Sequence, residues 1–104
     1  MFNINYSREA ELDLDNSISY IAKESVTNAL NYLKRYEKKI ELLRQNPFIG
    51  VECKNKLIKR DCRVLVHESH IIIYDLDEEN KDIFIIRIYH SSTDYPHKLN
   101  DSQI

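Results

Sequence analysis

Two dense apolar runs, Ile71-Ile72-Ile73-Tyr74 and Ile83-Phe84-Ile85-Ile86, restrict what this chain can fold into more than any other feature. A strand that alternates apolar and polar residues can leave one face in water. A strand that is apolar at every position needs cover on both. The two runs therefore predict central strands of a sheet, with helices against at least one side. The polar stretch Asp75–Asp82 between them predicts a hairpin loop. Ahead of them, Cys62, Val64 and Val66 alternate with Arg63, Leu65 and His67, which predicts a further strand of a meander.

The first half of the chain supplies the cover. Asn3 to Tyr6 alternates like a short strand, which joins the sheet at an edge or in its centre. Ser7 is placed to cap a helix, with Glu9 and Glu11 near its free amides. Leu14, Ile18 and Ile21 form an apolar stripe within Glu9–Lys23, and Glu24-Ser25 breaks it. A second stripe follows over Val26, Leu30, Leu33, Tyr36, Ile40 and Leu43. Asn46-Pro47 ends it, because a residue before proline is pushed out of helical geometry. Two helices, each with one stripe and a short link, form an antiparallel hairpin that must cover something. The expected fold is α+β: a two-helix hairpin packed on a mostly antiparallel sheet, in the order β-α-α-β-β-β, as one domain over residues 1–104.

At 104 residues only one modest core is available, and 42% apolar with 31% charged residues describe a folded, soluble chain. A formal net charge of -2 argues against a general nucleic-acid coat, whose affinity comes from neutralising phosphates. The N-terminus lacks a basic leader and no run reaches membrane-spanning length, so the cytoplasm and no membrane partner are expected. Cys53 and Cys62 lack a metal-ligand spacing and read as two buried or half-buried thiols. His67, His70, His90 and His97 show no short ligand spacing either, and neither metal nor cofactor is expected. No phosphate loop, nucleophile elbow or internal repeat is present.

Charge is nonetheless uneven. Lys54, Lys56, Lys59, Arg60 and Arg63 outnumber Glu52, Asp61 and Glu68 over residues 51–70, whereas Asp75–Asp82 carries five acids and one lysine. The basic stretch is either a solvated surface or a landing site for phosphate or an acidic partner. Arg87-Ile88-Tyr89-His90, with Asp94 just beyond, gathers polar groups where the last core strand stops. Strict alternation, with Phe84, Ile86 and Ile88 taken as core, places Arg87 and Tyr89 on the open face beside Arg63. Two guanidiniums there could hold a phosphate bidentately, or Arg63 could simply pair with Glu68 or a backbone carbonyl. His90 is the plausible proton shuttle near that face, with Asp94 able to orient it or to cap the C-terminal segment.

Several elements, in order, resemble the RelE/ParE family of small bacterial toxins from type II toxin–antitoxin modules. Tyr6-Ser7-Arg8-Glu9-Ala10-Glu11-Leu12-Asp13-Leu14 is similar to the family's opening strand and acidic helix. Asn46-Pro47-Phe48-Ile49-Gly50 resembles its Asn-Pro-x-hydrophobic-Gly element. Cys62-Arg63-Val64-Leu65-Val66, His70-Ile71-Ile72-Ile73-Tyr74 and Ile86-Arg87-Ile88-Tyr89-His90 with Asp94 resemble its three last strands and their ending. The resemblance spans roughly residues 3–98.

It implies a toxin held by a cognate antitoxin and two alternative targets. ParE-like members poison DNA gyrase without chemistry of their own, and the Asn46–Gly50 element and the His90-x-x-x-Asp94 ending resemble that branch. RelE-like members cut mRNA on the ribosome. In that reading Arg63 and Arg87 resemble phosphate-stabilising arginines, and Tyr89 or His90 the group near the leaving oxygen. The -2 net charge weighs against a large ribosomal footprint. Thr93 and His70 depart from the usual residues and leave a third reading open, an inactive relative that only binds an antitoxin.

Overall fold

The computed structural model describes residues 1–53 and 61–102, so Lys54, Lys56, Lys59 and Arg60 lie outside the described residues. The chain runs β1 (Asn3–Tyr6), α1 (Arg8–Glu24), α2 (Val26–Gln45), β2 (Val51–Glu52), β3 (Arg63–His67), β4 (His70–Asp77), β5 (Asp82–His90) and α3 (Tyr95–Ser102). The five strands form one sheet in the order β1-β5-β4-β3-β2. Among the described residues, only the β1–β5 pair is parallel. The helical hairpin on a mostly antiparallel sheet is thus the expected architecture, with β1 at an edge. The two-residue β2 and the helix α3 carried no sequence signal strong enough to predict them.

Local chemistry sets the boundaries. Ser7 Oγ accepts the Ala10 amide at 2.9 Å and donates to the Ile86 carbonyl at 2.6 Å, so one hydroxyl caps α1 and ties it to β5. Ser25 ends α1 by donating its amide to the Ile21 carbonyl and starts α2 by accepting the Asn28 amide on its side chain. The β4–β5 turn is shorter than the predicted loop, because β4 reaches Asp77 and β5 begins at Asp82. Both tight turns use non-glycine residues in the left-handed region, Glu68 (φ 55°) and Lys81 (φ 54°).

The core has two faces. Ala10, Tyr36, Ile40 and Leu43 from the helices pack on Leu65, Ile72, Tyr74, Ile83, Ile85 and Ile88. On the other face, Ile71, Ile73, Ile86 and Tyr89 pack with Cys62 and with Leu99 of α3, which is 1% exposed. Helix α3 therefore explains why β4 and β5 are apolar on both sides. Burying a leucine completely stabilises by roughly 1.5–3 kcal/mol.

Three expectations are corrected. The inward face of α2 begins with Ala29 and Tyr32, while Val26 and Leu30 are 64% and 57% exposed. The Tyr32 phenol turns inward because its hydroxyl meets His70 Nδ1 at 2.8 Å. Neither alternation proposed for the last strand holds along its length. Ile73 pairs with Arg87 but Tyr74 pairs with Ile85, so Ile86 is an extra residue, a β-bulge. The bulge reverses the parity: Ile83 and Ile85 face the helices before it, and Ile88 after it. Finally, Cys53 and Cys62 are not thiols but a disulfide with Cα atoms 5.4 Å apart, bridging the start of β3 to the chain after β2.

Candidate functional site

Strict alternation had put the two arginines together on the face away from the helices; Arg87 is there, but Arg63 has the helix-facing parity of Leu65. Arg63 pairs with Tyr74, which faces the helices, whereas Arg87 pairs with Ile73, on the second face. Each guanidinium is engaged locally. Arg63 Nη1 donates to the Gly50 carbonyl at 2.8 Å, Nη2 lies 3.6 Å from Glu52, and the group stacks 4.9 Å from the Phe48 ring centroid. The backbone-carbonyl partner is one of those foreseen for Arg63; Glu68, the other, pairs with Arg35 instead. Arg87 grips Asp13 of α1 through Nε (2.8 Å) and Nη2 (3.0 Å) and lies 4.7 Å over the Tyr89 ring. The hydrogen bond to Asp13 holds the Arg87 guanidinium above even its ordinary high range.

Asp13 carried no recognisable signal in the sequence beyond an acid on an amphipathic helix. Its Oδ2 also accepts the Ile88 amide at 2.9 Å. β1 pairs only with Asp82 to Ile85, so Ser7 and then Asp13 satisfy the β5 edge where the strand partner has ended. Tyr89 is buried in the second face beside Leu99.

The end of the sheet around Arg63 is closed and acidic. A groove of about 1010 Å³ runs past Phe48, the disulfide and Arg63, and Glu52, Asp61, Asp75, Asp77, Glu78 and Glu79 line it. The Asn46–Gly50 element wraps the phenol of Tyr74, whose hydroxyl donates to the Pro47 carbonyl (2.8 Å) and accepts the Gly50 amide (2.9 Å). A Cβ on residue 50 would stand 2.5 Å from that hydroxyl, which is why glycine occupies it.

At the opposite end lies a cluster the sequence did not assemble. His67 and His70 flank the β3–β4 turn, and His90 pairs with His70 across β4 and β5. The His70 and His90 rings meet edge-on at 5.7 Å, and His67 lies 5.6 Å from the Tyr32 ring. His70 Nε2 is 3.2 Å from Ser17 Oγ, which itself donates to the Asp13 carbonyl at 3.0 Å. Ser17 must then accept from Nε2–H, and Tyr32 must donate to Nδ1. This chain, Tyr32–His70–Ser17, joins α2, β4 and α1. Arg35 holds Glu68 by two bonds, 2.7 and 3.1 Å, beside it. Burial lowers the affinity of His67 and His70 for a proton; the neighbouring His90 and His67 act the same way on His70, and Glu68 opposes them. Burial pushes the Tyr32 phenol up to about 12. A groove of about 590 Å³ opens here between the helices and the turn.

His90 is exposed, and its Nδ1 accepts the Ser92 amide at 3.1 Å. The ring therefore carries its hydrogen on Nε2 when neutral. Asp94 does not orient it: the Asp94 carboxylate pairs with His97 at 2.6 Å, and its carbonyl accepts the Lys98 amide. His90 lies at the histidine end and Arg63 at the acidic end, so the structure does not bring the Arg63, Arg87 and His90 set together. No group of three or more metal-ligating side chains occurs among the described residues. No described helix is long and apolar enough to cross a membrane.

The model for "ParE toxin of type II toxin-antitoxin system, parDE" matches residues 4–95, most of the chain. The chain belongs to the ParE toxin family. It is a toxin component of the type II toxin–antitoxin kind. Solved structures share the fold at low identity. A chain of the chromosomal ParDE system from P. aeruginosa is 22% identical, with a TM-score of 0.67 over 86% of this chain and 96% of that one. The isolated E. coli RelE toxin is 13% identical, with a TM-score of 0.59 over 100% of both chains. A chain of the RelBE2 complex from Mycobacterium tuberculosis is 18% identical, with a TM-score of 0.57 over 86% and 96%. No curated protein sequence matches significantly.

Proposed function

We propose that this ParE-family toxin arrests growth by binding DNA gyrase, without chemistry of its own, and that a cognate antitoxin restrains it. The observation that carries this reading is the engagement of Arg63 and Arg87. Metal-free RNA cleavage needs cations converging on one phosphate, with a base and an acid in reach. Here the two side chains leave opposite faces of the sheet, Arg87 is held and neutralised by Asp13 of α1, and Arg63 is held by the Gly50 carbonyl beside an acidic groove. A negatively charged wall repels RNA phosphates but not a protein surface. Exposed Phe48, Ile49 and Val51 offer a protein partner apolar contact near the same end.

The antitoxin contributes its C-terminal segment, as a helix or an added strand, to a groove or sheet edge of the toxin. Co-purification with the protein encoded beside this chain checks that part, and failure to bind it counts against restraint by that neighbour.

The target is tested by two parallel reactions with purified protein: gyrase supercoiling relaxed plasmid, and ribosomes translating a defined mRNA. The expected result is inhibited supercoiling with the message intact, and His90→Ala should inhibit as well as the parent. Message cut at decoding-site codons with gyrase unaffected would make the protein an mRNA endonuclease and return Arg63, Arg87 and His90 to an active site. Neither effect, with antitoxin binding kept, would make it an inactive relative.

A further inference from the structure

We propose that the His67–His70–His90 cluster is an acid-sensitive latch joining the helical hairpin to one end of the sheet, so that mild acid frees the groove edge between α1, α2 and the β3–β4 turn. The latch is independent of which target the toxin meets.

Its geometry depends on neutral histidine. With His70 uncharged, Tyr32 donates to Nδ1 and Nε2 donates to Ser17, so a single ring holds both helices to β4. A proton on Nδ1 turns that acceptor into a donor. The Tyr32 hydroxyl must then rotate its hydrogen away, and the Tyr32–His70 bond in its present sense is lost. The new charge also has poor company. From β5 it faces His90 edge-on at 5.7 Å, and His67 sits on the same strand pair. From α2 come Tyr32 and Arg35, with Lys39 also acting on His67; α1 offers the phenol of Tyr20 on the groove wall. Glu68 is the only carboxylate on that wall among the described residues, and Arg35 already holds both its oxygens.

His67 adds a second, independent sign of a tensioned site. It is 7% exposed, yet its Nε2 has no hydrogen-bond partner, the Glu68 oxygen standing 3.4 Å away and poorly aligned. A proton shared with His67 would pull Glu68 from Arg35, across a turn whose Glu68 is already in the left-handed region. Charging the cluster therefore sets its groups against one another and weakens the contacts that close the hairpin on the sheet.

Hydrogen exchange on the full chain tests the latch, at pH 7.5 and 5.5, with rates corrected for intrinsic pH dependence. Amides of residues 16–21 and 28–35 should lose protection about tenfold in acid, the scale of one unit of proton linkage, while Ile72–Tyr74 stay protected. His70→Gln, which keeps polar partners but cannot charge, should abolish the pH dependence. Should His70→Gln fail to fold, Tyr32→Phe, which removes the hydroxyl whose bond to His70 Nδ1 acid would disrupt, should reduce the acid effect. An unchanged exchange pattern in acid overturns the latch. So does equal loss in the glutamine variant, or loss that spreads to Ile72–Tyr74, which would be plain acid unfolding.

Discussion

The two ends of the β4–β5 pair are built by different means from similar material. At the Tyr74 end, a buried phenol is gripped by backbone groups of the Asn46–Gly50 element, and a disulfide closes the neighbouring hairpin. At the His70 end, a phenol is gripped by an imidazole, which in turn grips a serine hydroxyl. The first end is locked by groups that cannot titrate near neutrality, since burial raises the Tyr74 phenol further. The second is held by groups whose hydrogen-bonding sense reverses with one proton. Rigidity and responsiveness are thus separated along a single pair of strands.

The largest break in that comparison comes from Gly50→Ala. The added methyl meets Tyr74, which is 0% exposed and has no room to retreat. Stability should fall by about 3 kcal/mol, the upper range for overpacking a tight core. Urea unfolding measures it, and a loss below 1 kcal/mol would show that the closed end yields. Reducing the Cys53–Cys62 disulfide should come next. Loop-closure entropy for a cross-link spanning 9 residues in sequence gives about 2.5 kcal/mol, seen as a lower urea midpoint in dithiothreitol. No difference between the oxidised and reduced protein would remove the disulfide from the account of this end.

Tyr32→Phe tests the other end and should cost less. It deletes one hydroxyl and leaves His70 Nδ1 to find water at a half-open groove, so the expected loss is about 1 kcal/mol. A loss as large as that of Gly50→Ala would make the two ends equivalent and erase the contrast.

How far the sequence revealed each end follows from what fixes it. The apolar runs Ile71–Tyr74 and Ile83–Ile86 announced the central strands because composition alone sets their burial. Serines and prolines announced the helix ends for the same local reason. Arg87 lies away from the helices as expected. The expectation that Arg63 shares its face failed because Leu65 and not Val64 packs under the helices, and a strand apolar on both parities does not mark which one that is. The bulge at Ile86 likewise leaves no mark in composition. The disulfide and α3 depend on tertiary distance, which spacing does not encode. The histidine cluster was illegible because His67, His70 and His90 meet through strand pairing, with Tyr32 and Ser17 brought from two helices. His90 stood out in the sequence with Arg63 and Asp94 as its expected partners, but its ring meets His70 instead.

The smallest effect near neutrality, and the most diagnostic, is the pH dependence of stability itself. Folding lowers the proton affinity of both His67 and His70, chiefly through burial. The unfolded chain then binds more protons than the folded one below the ordinary histidine range, so stability is fully present above about pH 6.5 and is lost as pH falls toward the lowered folded values. Glu68 acts over a lower window: its folded value is depressed by the Arg35 hydrogen bond, so its contribution goes only as carboxylates protonate. A urea midpoint followed from pH 7.5 to 5.5 should therefore decline before any carboxylate titrates. His70→Gln should flatten that decline, whereas Gly50→Ala, however destabilising, should leave its slope unchanged, because nothing it touches changes charge there. If Gly50→Ala altered the slope as much as His70→Gln, the two ends would be coupled through β4, and the separation of a fixed end from a titratable one would fail.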